Sequence, residues 1–151
     1  MKVITTNAGQ TKKLARALAH KILKEKPKNK ASIIGLEGDL GSGKTTFLQG
    51  FANGLGIKEK VLSPTFVLIK RFKISSQKEG QKGFKSFYHI DCYRIKKPKE
   101  ILELGFEKIA ADPRNIIAVE WSEKIKKILP LKTLTLRFLF LEQNKRIISW
   151  R

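Results

Sequence analysis

Cysteine occurs once in the 151 residues, at Cys92, which makes an intrachain disulfide impossible and argues against a structural zinc cluster. No apolar run approaches the roughly 18 residues of a membrane span. The opening MKVITTNAGQTKK has no stretch apolar enough for a secretory signal. Repeats, low-complexity tracts and linkers are also lacking, so a single domain over residues 1–151 with one ordinary core is expected. Together these absences point to a cytoplasmic protein with no membrane partner.

Acids are scarce: 13 Asp and Glu stand against 32 Lys and Arg, a net charge of +19. Such an excess suits a nucleic acid or another polyanion. No aromatic-interleaved RNA-binding motif accompanies it, however, and a lysine-decorated solvent face is the simpler account.

Apolar spacing divides the chain into alternating elements. Residues 2–6 suit a short edge strand. Asn7 then offers a cap, with Gln10 as a weak capping box, to an amphipathic helix striped by Leu14, Ala15, Leu18, Ala19 and Ile22. His20 belongs to its solvated basic face rather than to a metal site. Residues 31–36 form a buried strand, and Phe47, Leu48, Phe51, Ala52 and Leu55 a second helical stripe. Residues 65–74 and 84–91 suit two strands of a long hairpin. A short helix from Pro98 to Leu104 is stopped by Gly105. Residues 116–119 are another buried strand, Ser122 caps a helix that Pro130 ends, and strands near 133–141 and 146–150 close the chain. This alternation predicts an α/β three-layer sandwich around a mixed, partly parallel sheet.

Between the first buried strand and the second helix stands Gly38-Asp39-Leu40-Gly41-Ser42-Gly43-Lys44-Thr45, the pattern G-x-x-x-x-G-K-[ST]. Glycines let successive N–H groups turn into one concavity that binds phosphate oxygens. The helix N-terminus adds partial positive charge. Lys44 can reach the β- and γ-phosphates, Thr45 can place its hydroxyl on Mg²⁺, and Thr46 stands next to the α-phosphate. A nucleoside triphosphate is the expected ligand.

Hydrolysis further needs an acid for Mg²⁺ and a group that orients water. Ile116-Ile117-Ala118-Val119-Glu120 delivers a carboxylate at the end of a buried strand, on the loop's edge of a parallel sheet; an exposed strand end would look the same. His89-Ile90-Asp91 ends another strand with His89 and Asp91 on one face. Asp91 could position water or a magnesium ligand, and Arg94 could pair with it or with a phosphate. An ordinary polar edge with a salt bridge fits this pattern too. Ser63-Pro64-Thr65-Phe66 is either a γ-phosphate sensor or a plain capped turn.

In order, GDLGSGKTT, SPTF, HIDCYR, ELGF, VEWSEKI and LP resemble the TsaE (YjeE) family, the small bacterial ATPases of tRNA threonylcarbamoyladenosine biosynthesis, over residues 5–148. The resemblance implies a P-loop fold, ATP with Mg²⁺, and action with a TsaB–TsaD heterodimer that modifies adenosine 37 of tRNA. It implies an ATPase activated by its partners, whose hydrolysis supports repeated turnover of that complex. By matching positions, residues 38–46 would bind phosphates, Thr45 and Glu120 would serve Mg²⁺, and Asp91 and Glu120 would act with Lys44 in hydrolysis. Trp121 would line the nucleotide or partner surface, with Thr11 and Arg146 near the nucleotide. Cys92 replaces a usual leucine, and the basic segment Ser75–Gly83 is longer than the family pattern, which leaves room for direct tRNA contact. Two rival readings remain: a small P-loop kinase, whose arginine lid is not evident here, and a basic tRNA-binding module with a secondary nucleotide site. A guanine-reading N-K-x-D segment is missing.

Overall fold

The computed structural model describes residues 1–62, 68–74 and 83–151. Ser63–Phe66 and residues 75–82 of the expected hairpin connection lie outside the described residues. Among the described residues seven strands form one sheet: β1 (Lys2–Thr5), β2 (Ser32–Glu37), β3 (Ile69–Lys73), β4 (Ser86–Asp91), β5 (Asn115–Glu120), β6 (Leu134–Phe140) and β7 (Arg146–Trp150). Their spatial order is β1-β7-β6-β2-β5-β4-β3. The inner four, β6, β2, β5 and β4, run parallel, whereas β3, β7 and β1 pair antiparallel at the flanks. The sheet is therefore mixed, with its parallel part central and most buried, as its apolar runs require.

Helices α1 (Ala8–Lys24) and α2 (Lys44–Gly54) cover one face. Asn7 caps α1 as its sequence indicates, accepting the Gln10 N–H at 2.8 Å; Gln10 Oε1 reaches back one residue further, to the Thr6 N–H, also at 2.8 Å. Ala15 and Ala19 of α1 and Phe47, Leu48 and Phe51 of α2 join Ile34, Leu36, Phe87, Ile116, Ala118 and Leu136 in the main core. His20 is exposed.

The opposite face of β5 and β4 carries α3 (Lys99–Glu103), α4 (Phe106–Ala111) and a 3₁₀ turn over Ser122–Ile128. Ile101, Phe106 and Ile125 there meet Ile33, Ile90, Ile117 and Val119. Two expectations change in this layer. Gly105 (φ 87°) ends α3 but also starts α4, because a left-handed glycine turns the chain without stopping it. The helix after β5 is 3₁₀, and Trp121 rather than Ser122 stands at its start; Ser122 is 2% exposed, and its hydroxyl has no hydrogen-bond partner among the described residues. The layer order is helix, sheet, helix.

Candidate functional site

The parallel register decides where the site lies. Leu36 of β2 stands opposite Glu120 of β5, and Asp91 of β4 stands opposite Glu120 from the other side. Three strand ends thus open on one edge, where ligands of open α/β sheets bind. Backbone bonds pin the edge: Cys92 N–H to Glu120 O at 3.0 Å, and Trp121 N–H to Leu36 O at 2.9 Å.

Residues 38–43 curl from β2 into α2. Among the described residues no side chain caps α2, whose preceding residue is Gly43, so its first amides keep the polarity an anion needs. Ser42 and Lys44 are buried, whereas Asp39, Leu40 and Gly41 face solvent on the loop's outer side. Lys44 folds back over the loop, its Nζ donating to Gly38 O at 2.5 Å and Asp39 O at 2.9 Å. Burial lowers its pKa, with Glu120, Glu123, Asp91 and Asp39 opposing that shift.

Thr45, in the first turn of α2, donates its hydroxyl to Glu120 Oε1 at 3.0 Å. Its proton points at the carboxylate, so the oxygen presents lone pairs, the polarity a cation requires. Thr46 follows it in the same turn, half-buried. Among the described residues no group of three or more His, Cys, Asp and Glu could hold a metal. A hydroxyl beside one carboxylate instead suits a hard ion that keeps most of its waters, as Mg²⁺ does.

Asp91 is half-buried at the same edge. Desolvation pushes its pKa up, the Tyr93 N–H that it accepts at 2.9 Å pulls the other way, and the Glu120 charge adds to the rise. A carboxyl whose folded pKa is raised destabilises the fold once pH rises through that value. Below the unfolded value of about 3.9 the group is protonated in both states and the cost vanishes. Asp91→Asn should therefore melt at a higher temperature than wild type at pH 7 without nucleotide, with the gap closing as pH falls toward 4. A midpoint difference independent of pH would contradict this account.

Trp121 adopts a left-handed backbone (φ 59°, ψ 43°), a costly conformation for a bulky residue. The turn carries its ring to 4.4 Å from Lys44 Nζ and 5.2 Å from the Tyr93 ring. Leu40, Gly41, Lys44, Thr45, Leu68, Asp91, Tyr93, Arg94, Glu120 and Trp121 line the resulting cleft of about 240 Å³.

Two predicted residues are not among those that line the cleft. Thr11 is fully buried in α1, 2.8 Å from the Thr5 hydroxyl. Thr5 pairs with Arg146 of β7, whose guanidinium packs behind the loop against Gly43. Arg146 thus adjoins the loop, and neither residue lines the cleft.

The family described as Threonylcarbamoyl adenosine biosynthesis protein TsaE matches residues 5–148. The chain belongs to the TsaE family. A Rickettsia felis protein named tRNA threonylcarbamoyladenosine biosynthesis protein TsaE is 39% identical over 148 residues, 97% of this chain and 77% of its own. A Bacillus subtilis protein of that name is 38% identical over 130 residues, 86% of this chain and 72% of its own. The crystal structure of Bacillus subtilis YdiB superposes with a TM-score of 0.72 at 31% identity, over 99% of this chain and 83% of the other. With that likeness and its glycine loop, this TsaE chain has a P-loop NTPase fold.

One contact of the TsaE cleft escapes sequence reading. His89 Nε2 lies 2.7 Å from Glu120 Oε2, with His89 fully buried and Glu120 3% exposed. Alternation along β4 indicates a shared face for His89 and Asp91, but pairing across to β5 appears only once strand order is known.

Proposed function

We propose that this chain, as a single cytoplasmic domain, binds ATP with Mg²⁺ in the cleft and hydrolyses it slowly. In this reading it is the ATPase subunit of the tRNA threonylcarbamoyladenosine machinery and supports turnover of a TsaB–TsaD complex. The observation that carries the reading is the 3.0 Å bond from Thr45 to Glu120, which joins the helix of the glycine loop to the tip of β5 beside Lys44 and Asp91. The names of the relatives favour the tRNA role.

Binding begins with the amides of residues 38–46 and the Lys44 ammonium, which leaves its loop carbonyls for phosphate oxygens. Thr46 extends the contact toward the α-phosphate, Arg146 braces the loop at Gly43, and Thr11 bonds Thr5, the register partner of Arg146. When bound, Mg²⁺ would supply charge neutralisation on the phosphates. Thr45 and Glu120 would hold that cation. Asp91 accepts a hydrogen bond from the attacking water and orients it, while Trp121 covers Lys44 and shields the phosphate side from bulk solvent. Slow turnover in isolation follows if the partner completes the γ-phosphate surroundings, as activating proteins do in other P-loop enzymes.

A kinase reading lacks comparable support. Arg71 Nε donates to Ser86 Oγ at 3.0 Å and Arg114 Nε to Gly83 O at 2.8 Å, so of the three mid-chain arginines only Arg94 stands at the cleft. The deciding experiment reconstitutes the chain with TsaB, TsaD, tRNA and the adenylate donor system, and counts modified adenosines per complex. Several turnovers with wild type and about one with Glu120→Ala are expected. Equal counts would remove the ATPase role.

A further inference from the structure

The buried contact between β4 and β5 carries a role of its own. His89 stands opposite Ala118 in the parallel register, two residues before Glu120 on the same face of β5. The small Ala118 side chain lets the imidazole lean along the strand toward the carboxylate. Its Nε2 lies 2.7 Å from Glu120 Oε2 in a site that excludes water, with His89 at 0% and Glu120 at 3% exposure. With a carboxylate as partner, which only accepts, this pairing takes the His89 tautomer that carries its proton on Nε2.

His89 Nδ1 is buried with no hydrogen-bond partner among the described residues. A histidine kept for packing or network stability would satisfy both nitrogens, or an apolar residue would fill the space without stranding one. Among the described residues the one polar contact the ring makes is to Glu120. The other oxygen of that carboxylate, Oε1, accepts the Thr45 hydroxyl at 3.0 Å. The two oxygens are therefore assigned to different neighbours, one inside the sheet and one at the cleft.

We propose that His89 is a positioning residue for Glu120: by holding Oε2 from within the sheet, it fixes the carboxylate so that Oε1 faces Thr45 and the cation side of the cleft. This rests on the reading of Thr45 and Glu120 as the magnesium-serving pair, and extends it to a residue that never touches the ion. Partners of this kind set ligand orientation, and their loss typically weakens metal binding about 10- to 100-fold.

The test compares affinity for a non-hydrolysable ATP analogue, by calorimetry, in Mg²⁺ and in EDTA. His89→Phe keeps a ring of similar shape without the donor. Its enhancement by Mg²⁺ should fall at least about tenfold, with affinity in EDTA unchanged. His89→Gln returns an N–H near the Nε2 position and should restore the enhancement to within about threefold; His89→Asn, one methylene shorter, should not. If the phenylalanine variant fails to fold, the glutamine and asparagine pair decides alone. Full Mg²⁺ enhancement in His89→Phe, or equal losses in Mg²⁺ and EDTA, would overturn the positioning role. So would glutamine behaving like asparagine. Absence of any enhancement in the unsubstituted protein would instead remove the Thr45–Glu120 reading, and this inference with it.

Discussion

Lys44→Ala should weaken binding of a Mg·ATP analogue on the order of a hundredfold or more, since charge-assisted hydrogen bonds contribute about 1.5–3 kcal/mol each and Lys44 is placed to make at least two. The side chain is 5% exposed, and burial already lowers its pKa. Held among loop carbonyls and under the Trp121 ring, the ammonium is poorly hydrated before any ligand arrives. Trading carbonyl oxygens for phosphate oxygens then adds a full opposite charge in a low-dielectric site, where Coulomb attraction is strongest. The fold should survive the substitution. The released carbonyls belong to Gly38, half-buried, and Asp39, exposed, and water can satisfy them. Lys44→Arg separates charge from shape: its wide planar fork does not replace a compact ammonium at this spot, so a loss of at least about tenfold is expected despite the retained charge. Calorimetric titration with circular dichroism as a fold control checks both. Near-native affinity in Lys44→Ala would take the phosphates out of this loop.

The order in which the site became legible follows the range of the forces involved. The glycine loop is local, since its residues are neighbours in the chain and its conformation follows from their types, so Gly38 to Thr46 could be placed by pattern alone. Glu120 and Asp91 needed one further step, that strands ending in acids share the loop's edge, and the parallel register supplies it. His89 needed the strand order itself, because its partner lies 31 residues away on a neighbouring strand. The family pattern puts Trp121 on the nucleotide or partner surface but does not show its left-handed backbone, which arises where β5 must turn at once into the 3₁₀ segment. That turn displaced Ser122 from the capping position its residue type suggested. Helix α4 has no local signal of its own, because a glycine that ends one helix is locally indistinguishable from one that joins two.

Gly38→Ala should be among the most destabilising single substitutions in the chain, lowering the thermal midpoint by roughly 4–24 °C. Two costs combine there. The backbone sits at φ +146°, a region essentially reserved for glycine, with strain of about 1–3 kcal/mol for any side chain. The added Cβ would also lie 2.5 Å from the Phe138 carbonyl oxygen and 2.8 Å from Ser42 Oγ. The first of these is backbone of β6, which cannot swing aside, so overpacking adds about 1–3 kcal/mol. At about 2–4 °C per kcal/mol for a domain of this size, the sum gives the stated range. Gly41 is the internal control: it too has positive φ (+77°), but a Cβ there meets nothing within 4 Å. Gly41→Ala should therefore cost only the left-handed penalty of about 1–2 kcal/mol, a drop of roughly 2–8 °C. Nucleotide affinity should follow the same ranking, because moving the Gly38 carbonyl displaces the anchor of Lys44, whereas Gly41 lies at the open side of the loop. Equal midpoints for the two variants in differential scanning calorimetry would mean that β6 does not press on the loop as described.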